Sequence, residues 1–135
     1  MKAIKYSTEI KVPNSAIDEL NHVNNIIYLT WVQKISAEHW NKTIPKEIRN
    51  QMFWVVLNHN ISYKNPAFEG EELILTTWVA KMQGVKSERR VEIKRKSDDK
   101  IIVEAKTLWC LIDAKSKKPK RIDEEITKAF IKEEE

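Results

Sequence analysis

The stretch that decides the fold is NNIIYLTWVQKISAEHWN, residues 24–41. Its apolar residues recur three or four positions apart, as they do on one face of an α-helix, and two more widen that face. The set comprises Ile27, Tyr28, Trp31, Val32 and Ile35, widened by Ile26 and Leu29. A helix that is apolar over so much of its surface is normally covered by other structure. The sequence therefore predicts a long, wrapped helix from Asn24 to about Asn41.

The segments on either side of this helix alternate between apolar and polar residues, as half-buried strands do. One strand is expected before the helix and four after it, at Ile4–Val12, Phe53–Lys64, Leu73–Met82, Lys86–Lys96 and Ile101–Asp113. Because short turns join the last four strands, we expect an antiparallel sheet. One buried helix and about five such strands predict an α+β fold in which the sheet curls around the helix.

The alternation also predicts which side of each strand is buried. In the first strand after the helix the odd positions form the apolar face, namely Phe53, Val55, Leu57, Ile61 and Tyr63, with His59 among them as a core histidine. From Lys86 to Lys96 every even position is charged and must face water. After these strands, Asp123 is expected to cap a short amphipathic helix that runs to Lys132.

A second apolar face is expected on the side of the sheet that turns away from the helix. It consists of Ile74, Trp78, Leu108, Cys110 and Ile112. An apolar patch of this size rarely stays exposed in a monomer. We therefore predict a homodimer or homotetramer.

Composition limits the class of protein. The 135 residues, 33% of them charged, suit a single domain spanning residues 1–135. The single cysteine fits a reducing compartment, and no apolar run is long enough to cross a membrane, so we expect a cytoplasmic protein without membrane contact. With only Gly70 and Gly84, the chain lacks the glycine-rich loops that bind nucleotide phosphates. Its three histidines stand far apart, which predicts neither a metal site nor a cofactor.

The most informative polar residues lie directly before the helix. A carboxylate, an imidazole and several carboxamides are crowded between Asp18 and Asn25. One interpretation is purely structural, because asparagine is a good helix cap and an acidic residue suits the positive end of the helix dipole. The other is catalytic, because the free N–H groups of a helix N-terminus stabilise the negative charge that develops on a carbonyl oxygen under attack.

The pattern D-x-x-x-H-V-N-N-x-x-Y, from Asp18 to Tyr28, resembles the start of the central helix in hotdog-fold thioesterases of the hydroxybenzoyl-CoA and acyl-ACP thioesterase group. The segment Ile61–Glu71 resembles the family's strand end and turn, and Trp109–Arg121 its last strand and tail. The resemblance covers nearly the whole chain. It differs at Asn21, where many relatives have glycine. It implies a hotdog fold and hydrolysis of an acyl-CoA or acyl-ACP thioester.

The resemblance also assigns roles to residues. It implies that Asp18 acts as general base or as nucleophile, that the Asn25 N–H is the oxyanion donor, and that His22 orients water or the substrate carbonyl. Asn24 and Tyr28, from the same motif, are expected to contact the substrate. Active sites are expected at the interface between subunits.

Other residues and functions compete with this interpretation. The pair Arg89 and Arg90 is expected on a solvated face, where it either has no ligand or binds the phosphates of coenzyme A. A non-catalytic acyl-CoA binding or sensing protein is the main alternative, because fold alone does not determine function. Nucleic-acid binding is disfavoured, since the five tryptophans are spread over several elements and form no basic stacking platform.

Overall fold

A computed structural model describes residues 2–133 of the chain. The strands are β1 (Lys2–Ala3), β2 (Tyr6–Lys11), β3 (Met52–Tyr63), β4 (Glu72–Gln83), β5 (Lys86–Arg95), β6 (Ile101–Asp113) and β7 (Ile131–Lys132). The helices are α1 (Asn25–Thr43), α2 (Lys46–Arg49) and α3 (Glu124–Phe130). The predicted order of a strand, a long helix and four further long strands is confirmed.

The sheet is antiparallel and has the strand order β2-β4-β5-β6-β3. Helix α1 packs across β2, β4 and β5. The core between them contains Val32 and Ile35 of the helix and Leu73, Leu75 and Ile93 of the sheet, all at most 3% exposed. Truncating one of these side chains to alanine would cost about 2–5 kcal/mol of stability. This α+β architecture is the hotdog fold that the sequence predicts.

A second, smaller core closes the far end of α1. Phe130 of α3 is fully buried there against Val79 and Leu111 of the sheet. Helix α3 begins as predicted, because the Asp123 side chain accepts a hydrogen bond from the Ile126 N–H at 3.0 Å. It ends two residues before the predicted Lys132, since Ile131–Lys132 pairs with Lys2–Ala3 as a strand. The sequence also predicts a frayed acidic end at Glu133–Glu135, of which Glu134 and Glu135 lie outside the described residues.

The expected buried face of β3 is wrong in its first half. A register shift between Val56 and Asn58 reverses the direction of the side chains along the strand. Phe53, Val55 and Leu57 are therefore exposed by 39–50%, whereas Ile61 packs against the core. All six residues from Met52 to Leu57 are apolar, so the sequence before the bulge does not show which face of the strand is buried. Beyond the bulge, His59 is half-buried, and its Nδ1 lies 2.9 Å from Thr107 Oγ1.

The face prediction for β5 holds, because the odd positions from Ser87 to Ile93 are buried and the charged even positions are not. The predicted apolar outer face is present in part: Ile74, Trp78, Leu108 and Ile112 are half-buried, but Cys110 is only 7% exposed. The bulge extends this face, because the exposed Phe53 pairs with Ile112. Strand β3 lies at the edge of the sheet. No helix among residues 2–133 is long and apolar enough to span a membrane.

Candidate active site

A tight loop brings the motif residues to the N-terminus of α1. Ile17 and Val23 form an isolated antiparallel bridge, so residues 18–22 make a closed turn. Asn21 has φ of 64° in this turn, a left-handed conformation that glycine adopts easily and asparagine tolerates better than most residues. This explains why asparagine can stand where many relatives have glycine. Asp18 is the first residue of this turn, and Asn25 follows the second residue of the bridge, Val23, by two positions.

Asp18 is held by the backbone of its own turn. Its Oδ1 accepts a hydrogen bond from the Leu20 N–H at 2.8 Å, and the side chain is 24% exposed. The Nδ1 atom of His22 lies 3.9 Å from the same oxygen, which is too long for a direct hydrogen bond. The carboxylate therefore has a fixed position and keeps lone pairs for a water molecule or a substrate carbonyl.

The first turn of α1 presents an open N–H group. Asn24 caps the helix, with its side chain accepting a hydrogen bond from the Ile26 N–H at 3.0 Å. No residue of the described range 2–133 accepts a hydrogen bond from the exposed Asn25 N–H. An N–H at the first position of a 19-residue helix also lies at the positive end of the helix dipole. It can donate to an oxyanion without first losing a protein partner.

Tyr28 fixes the loop that faces this helix end. Its hydroxyl accepts a hydrogen bond from the Ala67 N–H at 3.1 Å, while the Ala67 carbonyl accepts one from Val23. Burial raises the pKa of Tyr28, so the phenol stays neutral. Glu71, in the same loop, has its Oε2 2.7 Å from Nε of Arg95 at the end of β5. These contacts give a structural reason for the resemblance of segment 61–71 to the family.

A shallow pocket of about 200 Å³ opens beside the helix N-terminus. The motif residues His22, Asn25 and Tyr28 line it together with Tyr63 and Asn65 of the opposite strand end. Asp18 does not line the pocket, but its Oδ1 lies 3.9 Å from Nδ1 of His22, which does. Tyr63 was predicted on the buried face of its strand and is instead 46% exposed, while Asn65 was not predicted as a site residue.

The two arginines proposed for phosphate binding point to opposite sides of β5. Arg90 is exposed, and its Nη2 lies 3.1 Å from Glu88 Oε2. Arg89 is only 6% exposed, and its Nη1 donates to His39 Nδ1 at 2.9 Å and to Thr77 Oγ1 at 3.1 Å. The expectation of a solvated position is therefore wrong for Arg89, because neighbouring residues of a strand face opposite ways.

A metal site was not predicted from the sequence, and the described residues were examined for side chains grouped as metal ligands are. Across residues 2–133, no three His, Cys, Asp or Glu side chains are grouped so that they could hold a metal ion. The chemistry available at the helix N-terminus is that of one carboxylate, one imidazole and backbone N–H groups.

Comparison with known proteins gives a match over nearly the whole chain. Residues 3–130 match the family model of the acyl-ACP thioesterase N-terminal domain. The chain is also 24% identical over 121 residues to the long-chain acyl-CoA thioesterase FadM of Escherichia coli K12, an alignment that covers 88% of this chain and 92% of that protein.

Solved structures share the fold. The probable thioesterase YbaW of Escherichia coli superposes with a TM-score of 0.82 at 23% identity, covering 91% of this chain and 94% of that one. The 1,4-dihydroxy-2-naphthoyl-CoA thioesterase Slr0204 of Synechocystis gives a TM-score of 0.80 at 13% identity, with coverages of 93% and 94%.

Fold and similarity together define the class of protein as a hotdog-fold thioesterase. Since the family match extends over almost the whole chain, this protein belongs to the family of the acyl-ACP thioesterase N-terminal domain. Its reaction is accordingly the hydrolysis of an acyl thioester.

Proposed function

We propose that the protein hydrolyses acyl-CoA thioesters at the N-terminus of α1, with Asp18 as the catalytic carboxylate. The observation that carries this proposal is the closed turn that holds Asp18 by the Leu20 N–H and leads directly to the open Asn25 N–H. Coenzyme A is favoured as carrier by the similarity to FadM, which is named an acyl-CoA thioesterase. An acyl-ACP substrate is the alternative, which the family name supports.

Asp18 can serve the reaction by two routes. As general base it takes a proton from water, whose oxygen attacks the thioester carbon before the C–S bond breaks and the thiol leaves with a proton. As nucleophile its carboxylate attacks directly, expels the thiol and forms a mixed anhydride that water then hydrolyses. In both routes negative charge develops on the carbonyl oxygen, and the Asn25 N–H stabilises it.

His22 has a supporting role in this proposal. Its side chain is 34% exposed and lines the pocket beside Asn25, so its ring can contact a water molecule or the substrate carbonyl. Asn24 acts through the helix cap and Tyr28 through its bond to Ala67, so both keep the site in shape instead of reacting.

The complete site is proposed to form in a dimer or tetramer. Strand β3 has a free edge 12 residues long, and Phe53, Val55 and Leu57 beside it are exposed. An edge of this kind tends to pair with another strand, and a second copy of the chain would provide one. Analytical ultracentrifugation should show at least a dimer at micromolar concentration, and a monomer would contradict this part of the proposal.

The remaining predictions extend this proposal. Arg90 is offered as a contact for the phosphates of coenzyme A, because it is exposed on the sheet surface. A single domain and a cytoplasmic location stay predictions from the sequence.

The experiment that tests the function is a panel of CoA thioesters with aliphatic and aromatic acyl groups, followed by detection of the released thiol. Catalytic turnover with at least one member is the expected result. Stoichiometric binding to the panel without thiol release would show a binding or sensing protein instead.

A further inference from the structure

A second cavity lies beside the C-terminal half of α1, away from the shallow pocket. It has a volume of about 180 Å³. Its walls are largely apolar, with the three tryptophans Trp40, Trp54 and Trp109 joined by Met82. Trp40 and Trp54 meet edge to face with 5.5 Å between ring centroids. Such a cavity suits the apolar part of a ligand.

One wall residue does not suit a purely apolar ligand. Arg89 lines the cavity although it is only 6% exposed. Burial lowers its pKa to about 10, so the guanidinium is still charged at neutral pH. Among residues 2–133, no carboxylate lies within 4.0 Å of it. A buried cation without a counterion is rare, because removing its charge from water is costly.

The groups that do contact Arg89 are neutral. Its Nη1 donates to His39 Nδ1 and to Thr77 Oγ1, and the Phe130 ring centroid lies 5.6 Å from its guanidinium carbon. Burial, and after it the Arg89 charge, lower the pKa of His39 to about 4, so the imidazole is uncharged at neutral pH. A guanidinium has five N–H groups in a planar fork. Within residues 2–133, neither Nε nor Nη2 has a protein acceptor.

The cavity lies in line with the proposed reaction centre. Ser36, in the cavity wall, is eleven residues beyond Asn25 on the same helix, which is about 16 Å at the α-helical rise. Asn25, Leu29, Gln33 and Ser36 follow one another at spacings of three or four residues, so they lie along one side of the helix. An extended acyl chain can span this distance from a carbonyl at the Asn25 N–H.

We propose that this cavity receives the far end of the acyl group and that Arg89 binds a carboxylate there, so that the preferred substrates are thioesters of dicarboxylic acids. This inference rests on the proposed thioesterase function. The planar guanidinium matches a carboxylate with two parallel hydrogen bonds, and the tryptophans enclose the methylene groups next to it. The bound carboxylate supplies the counterion that no residue in the range 2–133 provides.

The first test compares two series of CoA thioesters on the wild-type protein, plain acyl chains and their ω-carboxy counterparts of equal length. We expect kcat/KM to be about 10- to 100-fold higher for the ω-carboxy compound at the length that reaches the cavity, the range typical of hydrogen bonds to a charged group. Equal values, or faster hydrolysis of the plain chain, would overturn the inference. Equally fast hydrolysis of the ω-hydroxy compound would also overturn it, because the charge would then be irrelevant.

The second test removes the guanidinium. Arg89→Met should lose the preference for the ω-carboxy series while it still hydrolyses the plain series. The matched control is Lys94→Met, which removes a cation from the outer side of the same strand and should keep the preference. An unchanged preference in Arg89→Met would contradict a role for this residue in recognition.

A binding measurement covers the case in which Arg89→Met does not fold. Free monocarboxylic acids and primary alcohols of equal chain length are titrated into the wild-type protein, with tryptophan fluorescence as the signal. The acid, whose carboxylate can reach Arg89, should bind about tenfold more tightly than the alcohol, and equal affinities would refute the inference. If plain and ω-carboxy acyl-CoAs are hydrolysed equally fast, this inference fails and the thioesterase function stands. If no CoA thioester is hydrolysed, the function fails, and the binding data still decide what the cavity recognises.

Discussion

The two ends of helix α1 differ in how their sites are built. At the N-terminus, consecutive residues from Asp18 to Asn25 form a shallow polar site in which the backbone provides most of the hydrogen bonds. At the C-terminal half, residues from five separate elements enclose an apolar cavity with one buried cation. In the proposed function, the groups that react come from residues adjacent in sequence, whereas the groups that select the acyl chain come together only through tertiary packing.

Mutations at the two ends of α1 are therefore expected to have different effects. Changes at the N-terminus should lower turnover on every thioester and leave stability almost unaltered, because the groups there are partly exposed. Changes around the cavity should alter stability and the preference among acyl groups, because the side chains there are buried. The following variants test that separation.

The largest effect is expected from removal of the oxyanion donor by Asn25→Pro. Asn25 is the first residue of the helix, where proline is well tolerated, and Asn24 already has the extended conformation that precedes a proline, with φ of −64° and ψ of 133°. The helix should therefore remain, while kcat falls about 100- to 1000-fold. Asn25→Ala keeps the N–H and serves as the control. Equal activity of the two variants would exclude this N–H as the donor.

The next largest effect is the pH dependence of the free energy of unfolding that comes from His39, near the C-terminal half of α1. The pKa of His39 is lowered from 6.5 to about 4, mainly by burial. Below about pH 6.5 the His39 imidazole is protonated in the unfolded chain, whereas in the folded chain it stays neutral until about pH 4. The contribution of His39 to the free energy of unfolding is therefore lost as the pH falls through that range. The loss should total about 3 kcal/mol.

Urea denaturation at several pH values measures this loss. The comparison is with His39→Gln, which has no titratable group and retains an acceptor for Arg89. The variant should lose much less stability between pH 6.5 and pH 4 than the wild-type protein. Parallel pH profiles would show that burial of a neutral His39 is not the cause.

A smaller effect is expected when the cavity is narrowed by Ala37→Phe. Ala37 lines the cavity and is itself exposed, so the larger ring can extend into the open space without disturbing the main core. Long acyl chains should lose about tenfold in kcat/KM, while chains too short to reach the cavity keep theirs. Ala37→Ser is the matched control. An equal loss for short and long chains would mean that the acyl group does not extend toward the cavity.

The sequence predicted the fold well where periodicity is local. Helix α1 and the alternation along β5 follow from residues a few positions apart, and the Asp123 cap follows from its residue type. The same reasoning failed at β3, because Met52–Leu57 is apolar at every position and so does not show which face is buried before the bulge between Val56 and Asn58.

The candidate site was predictable only at one end of the helix. Asp18, His22 and Asn25 lie within one short motif, so the sequence alone indicates that they are close in space. Arg89 was predicted to lie on a solvated face beside Arg90. Its hydrogen-bond partners are His39 and Thr77, which are 50 and 12 residues away in the sequence and gave no local signal. A buried charge of this kind is revealed only by the packing of the whole fold.

The most direct test of the central claim is kcat of Asp18→Asn on the best CoA thioester of the panel at saturating concentration. Glu19→Gln is the matched control, since Glu19 is the exposed carboxylate next in the chain. We predict that kcat falls at least about 100-fold for Asp18→Asn, the scale expected for a general acid or base, and stays near the wild-type value for Glu19→Gln. Wild-type turnover in Asp18→Asn would contradict the assignment of Asp18 as the catalytic carboxylate.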